Sequence, residues 1–213
     1  MQQRSEITRA KILSAAEQEF SEKGFYGARI NEIAEVSQVN KALIYKYFGD
    51  KEELYQCVLL SVYERLKDLE SQIIASSNSD YRQKLSGFID IYFQFLEDNP
   101  TYVRMVMWEN LNHAKYFKAR QVNKTKDSII KALDQIVIEA KASHRIPDSV
   151  DSKQLMLTLI ACSFNYFSNM DTLTEIVQAD LRSEESQRKR IKAVKDMLLA
   201  YMDSGGCDDR CEG

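Results

Sequence analysis

Apolar residues recur every three to four positions along most of the chain, the spacing that places them on one face of a helix. The first such pattern covers residues 5–23 and ends at Gly24. Its apolar face consists of Ile12, Ala16 and Phe20. A short second pattern covers residues 30–36, and a third begins at Asn40, a good N-terminal cap, after a turn of a few residues. Two short helices joined by a tight turn behind a longer helix predict a helix-turn-helix motif.

Helical patterns also account for the rest of the chain. A fourth helix is predicted to begin after Asp50, which has capping-box spacing to Glu53, and to keep an apolar face through Leu69 and Ile73. Five further helices are expected at about residues 80–97, 101–108, 115–143, 152–170 and 184–202. About nine helices in total predict an all-α protein.

Composition supports this fold class. Among 213 residues there are 7 glycines and 2 prolines, so helix formers dominate, and the chain is long enough to bury a core without disulfides. We expect one domain at residues 1–52, a second at 53–204 and a disordered tail at 205–213. The net charge of −3 argues against nonspecific nucleic-acid binding by the whole surface, but it allows a local basic face.

The third helix carries the candidate DNA-binding surface. In a helix-turn-helix the second helix enters the major groove with its first residues at base edges, and here those residues are Asn40, Lys41 and Ala42. The tyrosines and lysines that follow favour contacts to phosphates, which supply salt-dependent affinity. The alternative is a surface helix whose tyrosines merely cover the core.

Residues 10–54 resemble the DNA-binding domain of the TetR family of bacterial transcriptional regulators. The matching segments are ILSAAEQEFSEKGF (12–25), INEIAEVSQV (30–39) and IYKYFGDKEEL (44–54). The pattern Y-x-Y-F-x-x-K-x-x-L at the end is the most specific part. The resemblance implies a DNA-binding N-terminal domain, a ligand-binding and dimerisation domain after it, and a repressor that releases a palindromic operator when a small organic effector binds.

The chain departs from the family pattern at the turn and at the start of the second helix. Gln38 stands where many members have glycine, and Ala28 and Arg29 replace the usual capping Thr/Ser pair. Leu43 stands where a small residue is common, and Arg29 is a candidate for a phosphate contact instead of a cap. The candidate DNA contacts are Arg29, Asn40, Lys41, Ala42, Leu43, Tyr45, Lys46, Tyr47 and Lys51.

The resemblance also implies a homodimer, because the family pairs its last two helices across a two-fold axis. The sequence agrees with this, since the eighth pattern is apolar on several faces and has to be covered on all sides. The candidate interface residues are Met156, Ile160, Phe164, Phe167, Ile191, Val194, Leu198 and Tyr201. The alternative is an ordinary buried helix in a monomer.

A small-molecule pocket in the larger domain is a further implication of the resemblance. Aromatic and methionine side chains with a few polar tips suit an apolar or aromatic effector. The candidate lining residues are Phe88, Tyr92, Phe95, Tyr102, Met105, Trp108, Phe117 and Tyr166. The alternative is that these aromatics form the core, which would fit a DNA-binding architectural protein without an effector.

Enzyme motifs are missing from the sequence. His144 and Asp148 match the HxxxD spacing of some acyltransferases, but they flank Pro147 where a helix ends, so a loop is favoured. Cys207 and Cys211 form a CxxxC whose metal or redox role is the alternative to a disordered tail. We expect no enzymatic activity, no cofactor and no metal. Because the chain has no signal-peptide pattern and no apolar run of the ~20 residues that span a bilayer, we expect a cytoplasmic protein with no membrane partner.

Overall fold

The computed structural model describes residues 2–66, 80–119 and 123–205, and within these ranges every regular element is an α-helix. The helices are α1 (Gln2–Gly27), α2 (Ile30–Ser37), α3 (Lys41–Phe48), α4 (Lys51–Glu64), α5 (Tyr81–Asp98), α6 (Pro100–Leu111), α7 (Lys115–Ala119), α8 (Asn123–Ala142), α9 (Ser152–Ser168), α10 (Met170–Val177) and α11 (Glu184–Ser204). The predicted all-α class is confirmed. No helix in the described ranges is long and apolar enough to cross a membrane.

The capping residues start the helices where the sequence predicts. The Asn40 side chain accepts the Leu43 N–H at 2.8 Å and the Asp50 carboxylate accepts the Glu53 N–H at 2.8 Å, so each satisfies one donor of a first helical turn. Gln38 has φ 56°, a left-handed conformation that lets the N–H of the next residue, Val39, return to the Ala34 carbonyl in the last turn of α2 at 3.1 Å. These local contacts define the two short helices and the turn between them.

The helix count differs from the predicted nine. The described residues contain eleven helices: α7 and α8 both lie within the pattern predicted as one helix over residues 115–143, and α10 follows α9 after a non-helical residue, Asn169 (φ −115°, ψ 18°). Helix α4 ends at Glu64. Leu69 and Ile73 of its predicted extension and Cys207 and Cys211 of the tail lie outside the described residues.

The chain divides into two compact units. The first unit comprises Met1–Leu66 and Asn99–Lys126, and the second comprises Lys67–Asp98 and Asp127–Gly213. In the first unit α1 packs against α2, α4 and α6, and α6 also contacts α4 and α7. In the second unit α5, α9 and α11 pack against one another, and α10 contacts α9.

Each unit has its own apolar core. The predicted inner face of α1 is fully buried in the first unit, together with residues of α2, α3 and α4. The buried residues that join these helices include Ile12, Ala16, Phe20, Ile33, Ile44 and Leu54. The second unit buries Leu85, Phe88, Ile89, Leu155, Leu159, Val194 and Leu198. The helix-turn-helix is therefore supported by a core that also includes α6.

Candidate nucleic-acid interface

Helix α3 separates an apolar inner face from a polar outer face. Ile44 and Phe48 are 1% and 5% exposed and hold the helix against the first unit. Asn40, Lys41 and Ala42 are exposed at its N-terminal end, and Tyr45 is 46% exposed. The first turn of α3 is therefore accessible from solvent and free to enter a DNA groove. Leu43, in the same turn, is half-buried.

Three of the predicted cations lie on the solvent-exposed surface of this motif. Lys41 and Lys46 are exposed on α3, and Arg29 is exposed at the N-terminus of α2. Lys51 is placed differently. Its Nζ donates to the Ala28 carbonyl oxygen at 2.6 Å and lies 4.9 Å from the centre of the Phe25 ring. Partial burial lowers the pKa of the Lys51 ammonium, and the nearby Glu19 carboxylate opposes that shift.

The hydroxyl of Tyr47 is held by the first helix. Tyr47 Oη and Ser5 Oγ are 2.9 Å apart at an exposed position, so the N-terminal end of α1 lies beside α3. Arg9, also on α1, stacks over the Phe48 ring at 5.3 Å. Neither contact follows from a pattern in the sequence, because each joins residues about 40 positions apart.

Helix α6 packs against α1 at the kink of that helix. Gly24 has φ +65°, and a Cβ there would lie 2.8 Å from the Trp108 ring, so glycine permits both the kink in α1 and the close approach of the indole. Trp108 Nε1 donates to the Ser21 carbonyl at 3.1 Å. Trp108, predicted to line an effector pocket, therefore packs on α1.

A buried carboxylate joins α4 to α6 and α7. Glu109 is 3% exposed, and its two oxygens accept the Tyr55 hydroxyl at 3.0 Å and the Phe117 N–H at 2.9 Å. Burial, with the adjacent Glu109 charge, raises the pKa of Tyr55 far above its usual range. Tyr102 and Phe117 both make edge contacts with the Tyr63 ring. Together with the fully buried Met105, these predicted pocket residues belong to the first unit.

The remaining predicted pocket residues belong to the second unit. Phe88, Tyr92, Phe95 and Tyr166 are each between 1% and 5% exposed. Burial raises the pKa of Tyr92 above its usual range. The Tyr166 hydroxyl donates to the Leu181 carbonyl. The eight predicted pocket residues are thus divided equally between the two units.

The candidate interface residues also fall into two groups. Met156, Val194 and Leu198 are 8%, 0% and 1% exposed and are covered within their own unit. Ile160 is 36% exposed, whereas Phe164, Phe167, Ile191 and Tyr201 are half-buried. Leu157 and Met197, which are not among the predicted interface residues, are 58% and 44% exposed. Both lie about one helical turn from predicted interface residues, and this spacing could have identified them from the sequence.

The motif considered for an acyltransferase lies on the surface. His144 is exposed in a turn after α8 with φ 52°. The described residues contain no group of three or more side chains suited to holding a metal ion.

Comparison with known proteins agrees with this geometry. Residues 12–58 match the family of bacterial regulatory proteins called the tetR family, and residues 82–198 match the tetracyclin repressor-like C-terminal domain. The transcriptional repressor NicS of Pseudomonas putida is 26% identical over 200 residues, covering 92% of this chain and 93% of NicS.

Solved structures share the fold. The fatty acid degradation regulator FadR of Bacillus halodurans superposes with a TM-score of 0.69 at 20% identity, covering 89% of this chain and 93% of that one. FadR of Bacillus subtilis, solved with stearoyl-CoA, gives a TM-score of 0.65 at 18% identity, covering 92% and 98%. These matched proteins are regulators rather than enzymes. The chain belongs to the TetR family, and the prediction of a helix-turn-helix DNA-binding transcriptional regulator is confirmed.

Proposed function

We propose that the protein is a repressor that binds a palindromic operator as a homodimer and releases it when a small organic effector binds. The observation that carries the proposal is the accessible first turn of α3, with Lys41 and Ala42 exposed over a buried Ile44. Such a turn fits the major groove with its N-terminal residues at base edges. The name of the relative NicS as a repressor supports the direction of regulation.

The proposed contacts have different roles. Lys41 and Ala42 are the candidates for base edges, because they are exposed at the start of α3. Asn40 caps α3 through its carboxamide oxygen, which leaves its NH₂ group as the donor toward DNA. Lys46, Tyr45, Tyr47 and Arg29 are the candidates for phosphates, which fix register without reading sequence. Leu43 is proposed to make an apolar contact at the groove.

The proposed dimer interface uses the exposed apolar side chains of α9 and α11. Leu157, Ile160 and Met197 are the most exposed apolar residues there, and burying apolar surface drives association. The buried Met156, Val194 and Leu198 support these helices from inside the protomer. A two-fold dimer would place two α3 helices at half-sites about 10 base pairs apart.

The effector is proposed to be an apolar or aromatic small molecule that contacts second-unit aromatics such as Phe88, Tyr92 and Tyr166. Support comes from the concentration of aromatic side chains there, and from the stearoyl-CoA bound to a protein of the same fold. A ligand shifts a conformational equilibrium only through its differential affinity for the two states. A coupling of about 1–3 kcal/mol would weaken operator binding about 5- to 150-fold.

The DNA-binding proposal is tested by selecting duplexes from a random pool and titrating the selected sequence at several salt concentrations. We expect a palindrome, and Lys46→Ala should weaken binding to all sequences and reduce the salt slope by about 1. Ile160→Glu should give monomers by analytical ultracentrifugation, whereas Ile138→Glu, the same change at a more exposed residue of α8, should not. Failure to select any duplex, or a dimer that survives Ile160→Glu, would contradict the respective part.

The effector proposal is tested by a thermal-shift screen of aromatic acids, amphiphiles and long-chain acyl-CoA, followed by operator titration with each stabilising compound. Tyr92→Trp should block the compound and leave operator affinity in its absence nearly unchanged. Stabilising compounds that never change operator affinity would favour an architectural DNA-binding protein instead.

A further inference from the structure

One peptide group in the connection between α1 and α2 lies between two charged side chains. The Ala28 carbonyl oxygen accepts a hydrogen bond from Lys51 Nζ at 2.6 Å, and the Arg29 N–H donates to Glu19 Oε1 at 3.0 Å. That C=O and that N–H belong to the same planar peptide unit, so both of its polar ends are held by side chains from other helices. The unit cannot rotate without breaking one of the two contacts.

This connection lacks an ordinary cap. Arg29 occupies the N-cap position of α2, and its guanidinium has no acceptor atom with which to satisfy the first N–H groups of that helix. Ala28 is 3% exposed, whereas Arg29 is exposed. The backbone thus passes directly from the buried Ala28 to the exposed Arg29. The orientation of the peptide unit between them determines where the Arg29 side chain leaves the backbone.

Both clamping side chains are themselves held in place. Glu19 is 8% exposed and its Oε1 also accepts Lys23 Nζ at 3.0 Å. Lys51, at the start of α4, has its ammonium over the Phe25 ring as well as on the Ala28 carbonyl. The Lys51 charge is therefore directed toward the backbone of the first unit, unlike that of Lys46, which is exposed on α3.

We propose that Glu19 and Lys51 clamp the Ala28–Arg29 peptide unit and so position the Arg29 side chain for a phosphate of the operator. Lys51 is then a positioning residue that acts through Arg29 and does not itself contact a phosphate. Glu19 is an anion, yet it supports the binding of a polyanion because it also positions Arg29. The inference rests on the proposed operator binding and assigns these two residues a role in it.

The test is a double-mutant cycle read as the slope of log K against log salt concentration. Each lost phosphate contact reduces the slope by about 0.9, so the affinity lost between about 50 and 200 mM salt becomes about 3.5-fold smaller. The clamp predicts that Arg29→Ala, Lys51→Met and the double variant all lose about one contact. Independent phosphate contacts by both residues predict that the double variant loses about two, and that result overturns the clamp. An unchanged slope in Arg29→Ala overturns it as well.

Variants of Glu19 provide a second test, in which the clamp and a simple charge effect predict opposite changes in operator affinity. Removing a carboxylate beside a phosphate backbone should strengthen binding if charge alone matters. The clamp predicts instead that Glu19→Leu weakens operator binding and reduces the salt slope to that of Arg29→Ala. In Glu19→Gln the amide oxygen still accepts the Arg29 N–H, so its affinity and salt slope should stay closer to those of the wild type. Glu19→Leu that binds as tightly as wild type overturns the proposal.

Folding and function are separated by controls on the full chain. Circular dichroism and the oligomeric state are measured for every variant, and Lys51→Arg, which keeps a donor, should retain the wild-type slope. If Lys51→Met does not fold, Glu19→Leu takes its place in the cycle with Arg29→Ala. A wild-type protein that binds no duplex contradicts the proposed function, whereas a wild-type protein that binds with an additive cycle contradicts only the clamp.

Discussion

Removing the Tyr55 hydroxyl tests whether α6 and α7 are part of the structure that holds the DNA-binding helices. Tyr55 is fully buried on α4, and its hydroxyl donates to Glu109 on α6 at 3.0 Å. Its ring lies 4.9 Å from Phe20 of α1 and 5.0 Å from Tyr116 of α7. Tyr55→Phe keeps these ring contacts, so the change isolates the hydrogen bond.

The size of the effect follows from the burial of both partners. A hydrogen bond to a charged group contributes about 1.5–3 kcal/mol, and removing one partner also leaves the other buried without its donor. Because the phenyl ring fills nearly the same volume, a cavity adds little. We expect the free energy of unfolding to fall by about 2–3 kcal/mol, a large share of the ~5–15 kcal/mol that stabilises a typical domain.

The assay is urea unfolding followed by circular dichroism and by the fluorescence of Trp108, the protein's single tryptophan, which packs on α1 within the first unit. Tyr47→Phe is the matched control, because it removes a hydroxyl with a 2.9 Å contact at an exposed position, and it should cost less than about 0.5 kcal/mol.

Glu109→Gln tests whether the hydrogen-bond geometry or the negative charge of Glu109 stabilises the first unit. Its amide oxygen can accept the Phe117 N–H while its NH₂ donates to Tyr55 Oη, so it should cost less than Tyr55→Phe. A Tyr55→Phe variant no less stable than Tyr47→Phe would refute the reasoning, because the buried bond would then contribute no more than an exposed one.

Four substitutions that add or remove a glycine make further predictions, each measured as a change in the free energy of unfolding. Gln38→Gly should stabilise by roughly 0.5–1 kcal/mol, since Gln38 is left-handed at φ 56°. Gly24→Ala should destabilise by about 3 kcal/mol through its positive φ and its contact with Trp108, while Gly27→Ala, whose Cβ would meet only Lys23 Cβ at 3.2 Å, should cost less than Gly24→Ala. Gly87→Ala should stabilise by about 0.5–1 kcal/mol, because a Cβ there meets nothing within 4 Å; an unchanged midpoint would contradict this estimate.

Features determined by neighbouring residues were predictable from the sequence. The buried stripe of α1 follows from its spacing, and the caps at Asn40 and Asp50 follow from side chains that reach the next turn. The left-handed conformation of Gln38 does not follow from its residue type, because glycine is the usual residue in that conformation. The helix-turn-helix could therefore be located before its structure was known.

Features that depend on distant contacts were not predictable. Tyr55 and Glu109 are 54 positions apart, and Trp108 and Ser21 are 87 apart, so no periodic pattern associates them. The sequence accordingly predicts a ligand-pocket role for Trp108, whereas the structure places its indole against the kink at Gly24. An aromatic residue at helical spacing is compatible with a core or a pocket, and only the packing of a second helix decides between them.

The role of a charged side chain is likewise not predictable when it depends on a distant contact, as Lys46 and Lys51 show. Both belong to a stretch whose composition predicts phosphate contacts, and a sequence pattern assigns them the same role. Yet Lys46 is exposed on α3, whereas Lys51 donates to the Ala28 carbonyl beside a peptide whose N–H is held by Glu19. The buried carbonyl of Ala28 requires a donor, and a cation that satisfies it has less freedom to reach DNA. Ala28 and Lys51 are 23 positions apart, so no periodic pattern in the sequence associates this lysine with the carbonyl that it satisfies.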